Sequence, residues 1–248
     1  MLKVSIVTAT YNSAQFIKDC VESVYRQDYQ HIDHLIIDGA STDHTIAEIN
    51  SIPNRVANIV SEKDKGIYNA MNKGLQLADG EIIGILNSDD FYNSEDVISK
   101  VVAAFETTNA DCVFGDLYYV NQEDTTKIVR KWVTGPYTKN AFRKGWHPAH
   151  PSFFVKKEIY ERFGYFDEEL QLAADFELML RFLEKHRIAW SYIEKPLVRM
   201  RLGGATSNGI TNMIEGNKEC IKAFKKNKIP INPLYTVRRL VPKLKQFF

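Results

Sequence analysis

In the stretch EIIGILNSDDFYNSEDV an apolar run stops against two adjacent carboxylates, Asp89 and Asp90. Carboxylates aimed at one point repel each other, so such a pair is stable only with positive charge among them. Hard oxygen donors suit Mn²⁺ or Mg²⁺, cations that keep several waters and bind through one or two carboxylates together with substrate phosphates. The chemistry this implies is a cation-assisted reaction of a nucleotide diphosphate. Other apolar runs also end in acids and hydroxyls: Thr8, Thr10, Tyr11 and Asn12 on the first, Asp38 on the second, Glu62 and Asp64 after the third. No G-x-G-x-x-G follows the first run and no G-x-x-x-x-G-K-[ST] occurs, which excludes the dinucleotide fingerprint and the P-loop and leaves phosphate to metal and side chains. In GWHPAHPSFFV, His147 and His150 could complete a metal shell or touch an acceptor phosphate, or serve as ordinary loop residues; His150, just ahead of the apolar SFFV, is the better metal candidate.

The elements that must position these groups are legible from periodicity. KVSIVTATYN is a continuous β-branched run suited to a parallel strand covered on both faces. From Ser13 to about Gln27, Phe16, Ile17, Cys20, Val21 and Val24 fall at helical spacing. HLIIDGAST is a second strand, and STDHTIAEIN a helix with a cap-like Ser or Thr. A third strand covers Asn58 to Ser61; GIYNAMNKGLQLA is a helix with Ile67, Ala70, Met71 and Leu75 inward; Glu81 to Leu86 is the fourth strand. Alternation of this kind predicts an α/β, Rossmann-like, mostly parallel sheet flanked by helices, with ligands beyond the carboxyl ends of its strands. Past residue 110 the pattern turns mixed: DCVFGDLYYV and KIVRKWV read as antiparallel strands, KKEIYERFG and AADFELMLRFLEKH as helices, RIAWSYIEKPLVRMRL again as strand.

The 248 residues suffice for one large domain with a tail. With 44% hydrophobic and 25% charged residues the composition is that of a globular protein, and no apolar run approaches the about 20 residues that cross a bilayer. Cys20, Cys112 and Cys220 form no CxxC pair, and with no signal peptide evident a reducing cytoplasm is the expected location. Net charge is only +1, yet from Lys218 onward Lys222, Lys225, Lys226, Lys228, Arg238, Arg239, Lys243 and Lys245 face a single acid, Glu219. Nucleic acid is not an expected partner. The ending VRRLVPKLKQFF is basic and amphipathic, fit for a membrane surface at the inner face of the cytoplasmic membrane, with a packed last helix or a homodimer contact as the alternatives.

VSIVTATYN, IIDGASTD, DKGIYNAMNKGL and ILNSDD, in this order and spacing, resemble the motif series of the family 2 glycosyltransferases, inverting enzymes of the GT-A fold. The resemblance covers roughly residues 2–205 and fades toward the C-terminus. It implies a domain over 1–205, with a nucleotide-sugar-binding half (1–110) and an acceptor and catalytic half (111–205), and a basic helical extension over 206–248. By resemblance, Thr8, Tyr11 and Asn12 border the nucleotide and Asp38 bonds the base, uracil in the first instance. Glu62, Asp64, Gly66 and Asn69 lie near base, ribose and sugar. Asn87, Asp89 and Asp90 stand in the D-x-D-like motif, Asp90 on the metal and Asp89 on ribose or donor sugar. Asn69 replaces an Asp common among relatives, so donor preference does not carry over.

Inversion by direct displacement needs one base to take the acceptor's proton. The match to the family's acidic motif in LQLAADFELMLRF assigns it to Asp175 ahead of Glu177, against the alternative of a helix N-cap. Arg199 and Arg201 lead into LGGATS, whose glycines would let a loop bring Arg201 over the diphosphate. The expected reaction moves a sugar from a UDP-sugar to a glycan, in particular a lipid-diphosphate-linked saccharide of surface polysaccharide. A nucleotidyltransferase is the rival within enzymes, disfavoured because TATYNSAQF lacks glycine, Arg and Lys; a catalytically silent nucleotide- or glycan-binding subunit is the rival outside them.

Overall fold

The computed structural model describes residues 1–203, 209–231 and 235–236. In chain order the elements are β1 (Val4–Thr10), α1 (Ile17–Tyr25), β2 (Ile32–Asp38), α2 (Thr45–Asn50), β3 (Val56–Ser61), α3 (Ile67–Leu77), β4 (Ile82–Ile85) and β5 (Phe91–Tyr92). Then come α4 (Val97–Thr108), β6 (Cys112–Val120), β7 (Ile128–Trp132), β8 (Phe153–Lys156), α5 (Lys157–Phe163), α6 (Ala174–Leu180), β9 (Trp190–Arg201) and α7 (Gly209–Lys226). Among the described residues the strands form one mixed sheet in the order β3-β2-β1-β4-β8-β6-β9-β5, with β7 added to β6.

β3, β2, β1 and β4 run parallel, so their carboxyl ends, with the polar residues that follow them, share one sheet edge. β8 then pairs antiparallel with both β4 and β6, and β7 closes an antiparallel hairpin with β6. β9, read from the sequence only as a strand, runs parallel to β6 and antiparallel to the short β5.

The sheet separates two cores, as successive side chains of a strand point to opposite faces. Val4 and Ile6 of β1 pack with Ile17, Cys20, Val21 and Val24 of α1 and with Val97, Ile98, Val101 and Phe105 of α4. Val7 and Ala9 pack on the other face with Ala70, Met71 and Leu75 of α3, with α6, and with Cys220, Ala223 and Phe224 of α7. α3 lies close on the sheet because residue 74 is glycine: a Cβ there would stand 2.3 Å from Val7 Cγ1.

Three local expectations change. Ile67 is 48% exposed, because it is the first residue of α3 and precedes the stripe that faces the sheet. α2 is started by neither a Ser nor a Thr side chain; Asp43 Oδ1 accepts from the Thr45 amide and hydroxyl instead. α1 begins only at Ile17. α4, whose β-branched VISKVV is weak in helical signal, has no counterpart in the sequence reading.

Candidate active site

The loop after β2 meets the loop after β3 at a glycine. A Cβ on Gly39 would lie 2.7 Å from Asp64 Oδ2 and 3.3 Å from the Tyr11 ring, so these three residues form one tight corner beyond the strand ends. Asp64 Oδ1 accepts from the Gly66 amide (2.8 Å), joining the corner to the start of α3. Tyr11 is 62% exposed and presents its ring to solvent. Asn12, at φ 47°, donates its backbone amide to the Ser41 hydroxyl and accepts the Thr42 amide on Oδ1, pinning the two loops together. Glu62 pairs with Lys73 (2.7 Å) at the surface. Asn69 accepts from the Lys65 amide and donates to Glu168 (3.0 Å).

Two residues expected at the nucleotide are placed elsewhere. Thr8 points to the α1 face, fully buried, with its hydroxyl 2.9 Å from His34 Nε2 and 3.6 Å from Cys20 Sγ. Asp38 has no exposed surface, and its carboxylate is filled by the Ser41 amide and hydroxyl and the Ser61 hydroxyl (2.6 Å). These bonds shape the loop that leads into Gly39. Thr10 is also buried, and its hydroxyl has no hydrogen-bond partner.

The second group is the turn after β4. The Asp90 amide donates to the Asn87 carbonyl (3.0 Å), Asn87 Nδ2 donates to Asp90 Oδ2 (3.2 Å), and the Ser88 hydroxyl meets that of Ser13. Beneath it lies Arg201, 4% exposed, giving Nη1 to the Asp89 carbonyl (2.6 Å) and Nη2 to Asp19, with the Phe16 and Phe91 rings stacked near its guanidinium. Arg201 is thus a buried strut of the acidic turn, which corrects the expectation of a diphosphate-closing arginine; residues 204–208 of the expected lid lie outside the described residues. Arg199 is likewise bound, to Asn93 and the Thr125 carbonyl.

Burial raises the Asp89 pKa, and burial together with the Asp89 charge holds Asp90 well above the ordinary carboxylate range. Asp90 Oδ1 and Asn87 Oδ1 are buried without a hydrogen-bond partner. An orphaned buried acceptor costs about 1–3 kcal/mol. A hard divalent cation is the species that relieves both the orphaned oxygens and the repulsion, so these residues fit Mn²⁺ or Mg²⁺. Among the described residues no three His, Cys, Asp or Glu side chains come together as a metal cage, as suits a cation whose remaining ligands are water and phosphate.

The third group is the base candidate. Asp175 is half-buried in the first turn of α6, and Tyr68 donates its hydroxyl to Asp175 Oδ1 at 3.2 Å. His150 stands beside it, its ring edge-on to Phe166 (5.6 Å); burial lowers its pKa while the Asp175 charge raises it. His150 was expected to complete the cation's shell; its ring is held in this aromatic pocket, and among the described residues it forms no three-residue metal group with the acids. His147 is packed edge-on to Trp132 and Phe176. Glu177, the runner-up base, is 4% exposed and committed to Arg181 (Nε 3.0 Å, Nη2 3.0 Å) and Asn227 Nδ2 (2.8 Å).

The α6 N-terminus is approached by an acid that sequence reasoning missed. Glu219 of α7 accepts the consecutive amides of Gln171, Leu172 and Ala173 at 2.8–2.9 Å. Tyr68 and Tyr119 were missed too. Tyr119, on β6 with the Arg130 guanidinium 3.7 Å above its ring, has its hydroxyl pushed up in pKa by burial, which Arg130 opposes. A tyrosine pair in LYYV carried no sign of this; the sole signal for Glu219 was its being the lone acid in the basic C-terminal segment.

The family model described as glycosyl transferase family 2 matches residues 5–164. An uncharacterized glycosyltransferase of Mycobacterium tuberculosis is 28% identical over 180 residues, spanning 72% of this chain and 68% of its own. In fold, the chain is similar to S. aureus TarS 1-349 in complex with UDP-GlcNAc, with a TM-score of 0.71 at 18% identity over 100% of this chain and 73% of that one. It is similar also to the mannosyltransferase PcManGT of Pyrobaculum calidifontis in complex with GDP-Man and Mn²⁺, with a TM-score of 0.67 at 18% identity over 98% of this chain and 69% of that one.

Proposed function

The chain belongs to glycosyl transferase family 2, and from that premise we propose that it moves a sugar, with inversion, from a UDP-sugar to a glycan acceptor in surface polysaccharide assembly. The single observation that carries this reading is the turn after β4, where Asp90 Oδ1 and Asn87 Oδ1 lie buried without a hydrogen-bond partner beside a second carboxylate, Asp89, as a cation-seeking group at the sheet edge would. The Tyr11–Gly39–Asp64 corner is a fitting seat for the nucleoside, an aromatic face beside an acid. Asp89 and Asp90 would hold a divalent cation, Mn²⁺ or Mg²⁺, which when bound supplies positive charge for the departing diphosphate. Asp175 takes the proton of the acceptor hydroxyl as that oxygen displaces the diphosphate from the anomeric carbon, so one carboxylate suffices.

The fold shared with a UDP-GlcNAc-bound protein makes UDP-sugars the donors to test first. Among the described residues no helix is long and apolar enough to cross a membrane, and contact with lipid is proposed instead for the basic ending, which lies outside the described residues. A lipid-diphosphate-linked saccharide would meet the enzyme at that surface. The test is a screen of UDP release across common UDP-sugars with lipid-diphosphate saccharides as acceptors, repeated with Asp175→Asn. Steady transfer that falls at least a hundredfold in the variant supports the proposal. A chain that binds UDP without turnover, or a variant as active as the parent, overturns it.

A further inference from the structure

We propose that Tyr68 is a positioning residue that aims the Asp175 carboxylate for proton abstraction, fastening the base to the helix that begins at the donor corner; this rests on the glycosyl-transfer reading above. The Tyr68 hydroxyl donates to Asp175 Oδ1 at 3.2 Å across 107 residues of chain. With Oδ1 engaged, Oδ2 is the oxygen left to accept the acceptor's proton. The new O–H bond forms on Oδ2 as the acceptor's oxygen bonds to the anomeric carbon and the sugar's bond to diphosphate breaks, its electron pair leaving with the diphosphate.

The ring that carries this hydroxyl is immobilised. Tyr68 stacks on Phe166 (5.4 Å between centroids, 30° between planes), and His150 packs edge-on to Phe166. Asn72, one turn further along α3, grips the Phe166 backbone twice, accepting from its amide (2.9 Å) and donating to its carbonyl (3.0 Å). It also donates to Glu168 (2.8 Å), which takes a second bond from Asn69. On the donor side, Tyr68 stands two residues after Gly66, whose amide is bound by Asp64, the acid packed over Gly39. A continuous run of contacts thus joins the corner beyond β2 and β3 to the base.

Other charged or titratable groups face Asp175 from each packed element: His150 from the turn before β8, Tyr119 of β6 with Arg130 of β7 over its ring, and Glu219 of α7 capping the preceding amides. On its own helix, Glu177 is paired with Arg181. Burial and the Asp175 charge hold the Tyr68 hydroxyl well above its ordinary pKa, so it remains a proton donor throughout the working range.

The test is Tyr68→Phe, which keeps the stacked ring and removes only the hydroxyl. The kcat is expected to fall about tenfold with KM for the UDP-sugar within about twofold, the split of an interaction that matters only in the chemical step. Phe166→Leu, which loosens the packing but leaves the hydroxyl, should lower thermal stability and keep kcat within about threefold of the parent. A Tyr68→Phe enzyme with parental kcat, or one whose loss lies in KM, overturns the proposal, as does an equal fall of kcat in Phe166→Leu. Failure of the reading beneath it is seen separately: the parent enzyme would then transfer no sugar, or Asp175→Asn would transfer it undiminished.

Discussion

Replacing Glu177 by alanine should unfold the protein more readily while leaving the chemistry of the folded fraction intact, and replacing Asp175, two residues earlier, should do the reverse. Glu177 and Arg181 form a buried pair, their side chains 5% and 11% exposed, with Asn227 as a third partner. Removing one member of such a pair leaves an uncompensated charge and costs about 3–5 kcal/mol. Arg181 retains the carbonyls of Phe163, Gly164 and Tyr165, which places the cost toward the lower end. At about 2–4 °C per kcal/mol for a domain of this size, the melting temperature of Glu177→Ala should drop by about 10 °C. Asp175 is half-buried with one hydrogen bond from Tyr68, so Asp175→Asn should melt within about 2 °C of the parent and still lose sugar transfer. Thermal unfolding and transfer assays below the lower melting temperature read both quantities on the same samples. A Glu177→Ala protein with parental stability and no activity would refute the reasoning, because it would make Glu177 the reacting acid.

Glu219→Ala removes the acceptor of three consecutive amides and should destabilise the start of α6 by about 2 kcal/mol, the scale of a lost cap that carries a charge. Hydrogen exchange at residues 171–173 should accelerate; unchanged protection there would contradict the capping role. His34, buried against Thr8, has its pKa lowered to about 3 by burial, so between roughly pH 6.5 and 3 the unfolded chain binds a proton that the folded one refuses. The stability this neutral histidine supports is complete above pH 6.5 and declines by up to about 1.4 kcal/mol per unit as pH falls below it. Melting curves from pH 7.5 to 5 should show the decline and a His34→Gln variant should flatten it; an equally steep curve in the variant would assign the effect to other groups.

The parallel half of the sheet was legible because each of its strands is a β-branched or apolar run that ends abruptly in polar residues; the order in which those strands pair was not. The sequence also brought Asp89, Asp90 and Asp175 forward as the candidate acids on which the proposed function rests. It could not show which strand-end side chains look out. Thr8 shares the face of Val4 and Ile6 and so turns to α1, while Asp38 is consumed by Ser41 and Ser61, a closure that depends on how two loops fold back. Arg201 looked like a mobile anion binder from its place before two glycines, but strand pairing with β6 carries it under the acidic turn. Contacts such as Tyr68 with Asp175 or Glu219 with Ala173 join segments remote in sequence and leave no periodic trace. The C-terminal helix was read as an extension, yet Cys220, Ala223 and Phe224 complete one of the two cores.

The central claim is that the acidic turn after β4 binds UDP through a divalent cation. Isothermal titration calorimetry of UDP, with and without Mn²⁺, on the parent protein and Asp90→Ala tests it most directly. The account predicts that Mn²⁺ tightens UDP binding at least tenfold in the parent and has no effect in the variant. Equal enhancement by Mn²⁺ in both proteins, or none in the parent, would contradict it.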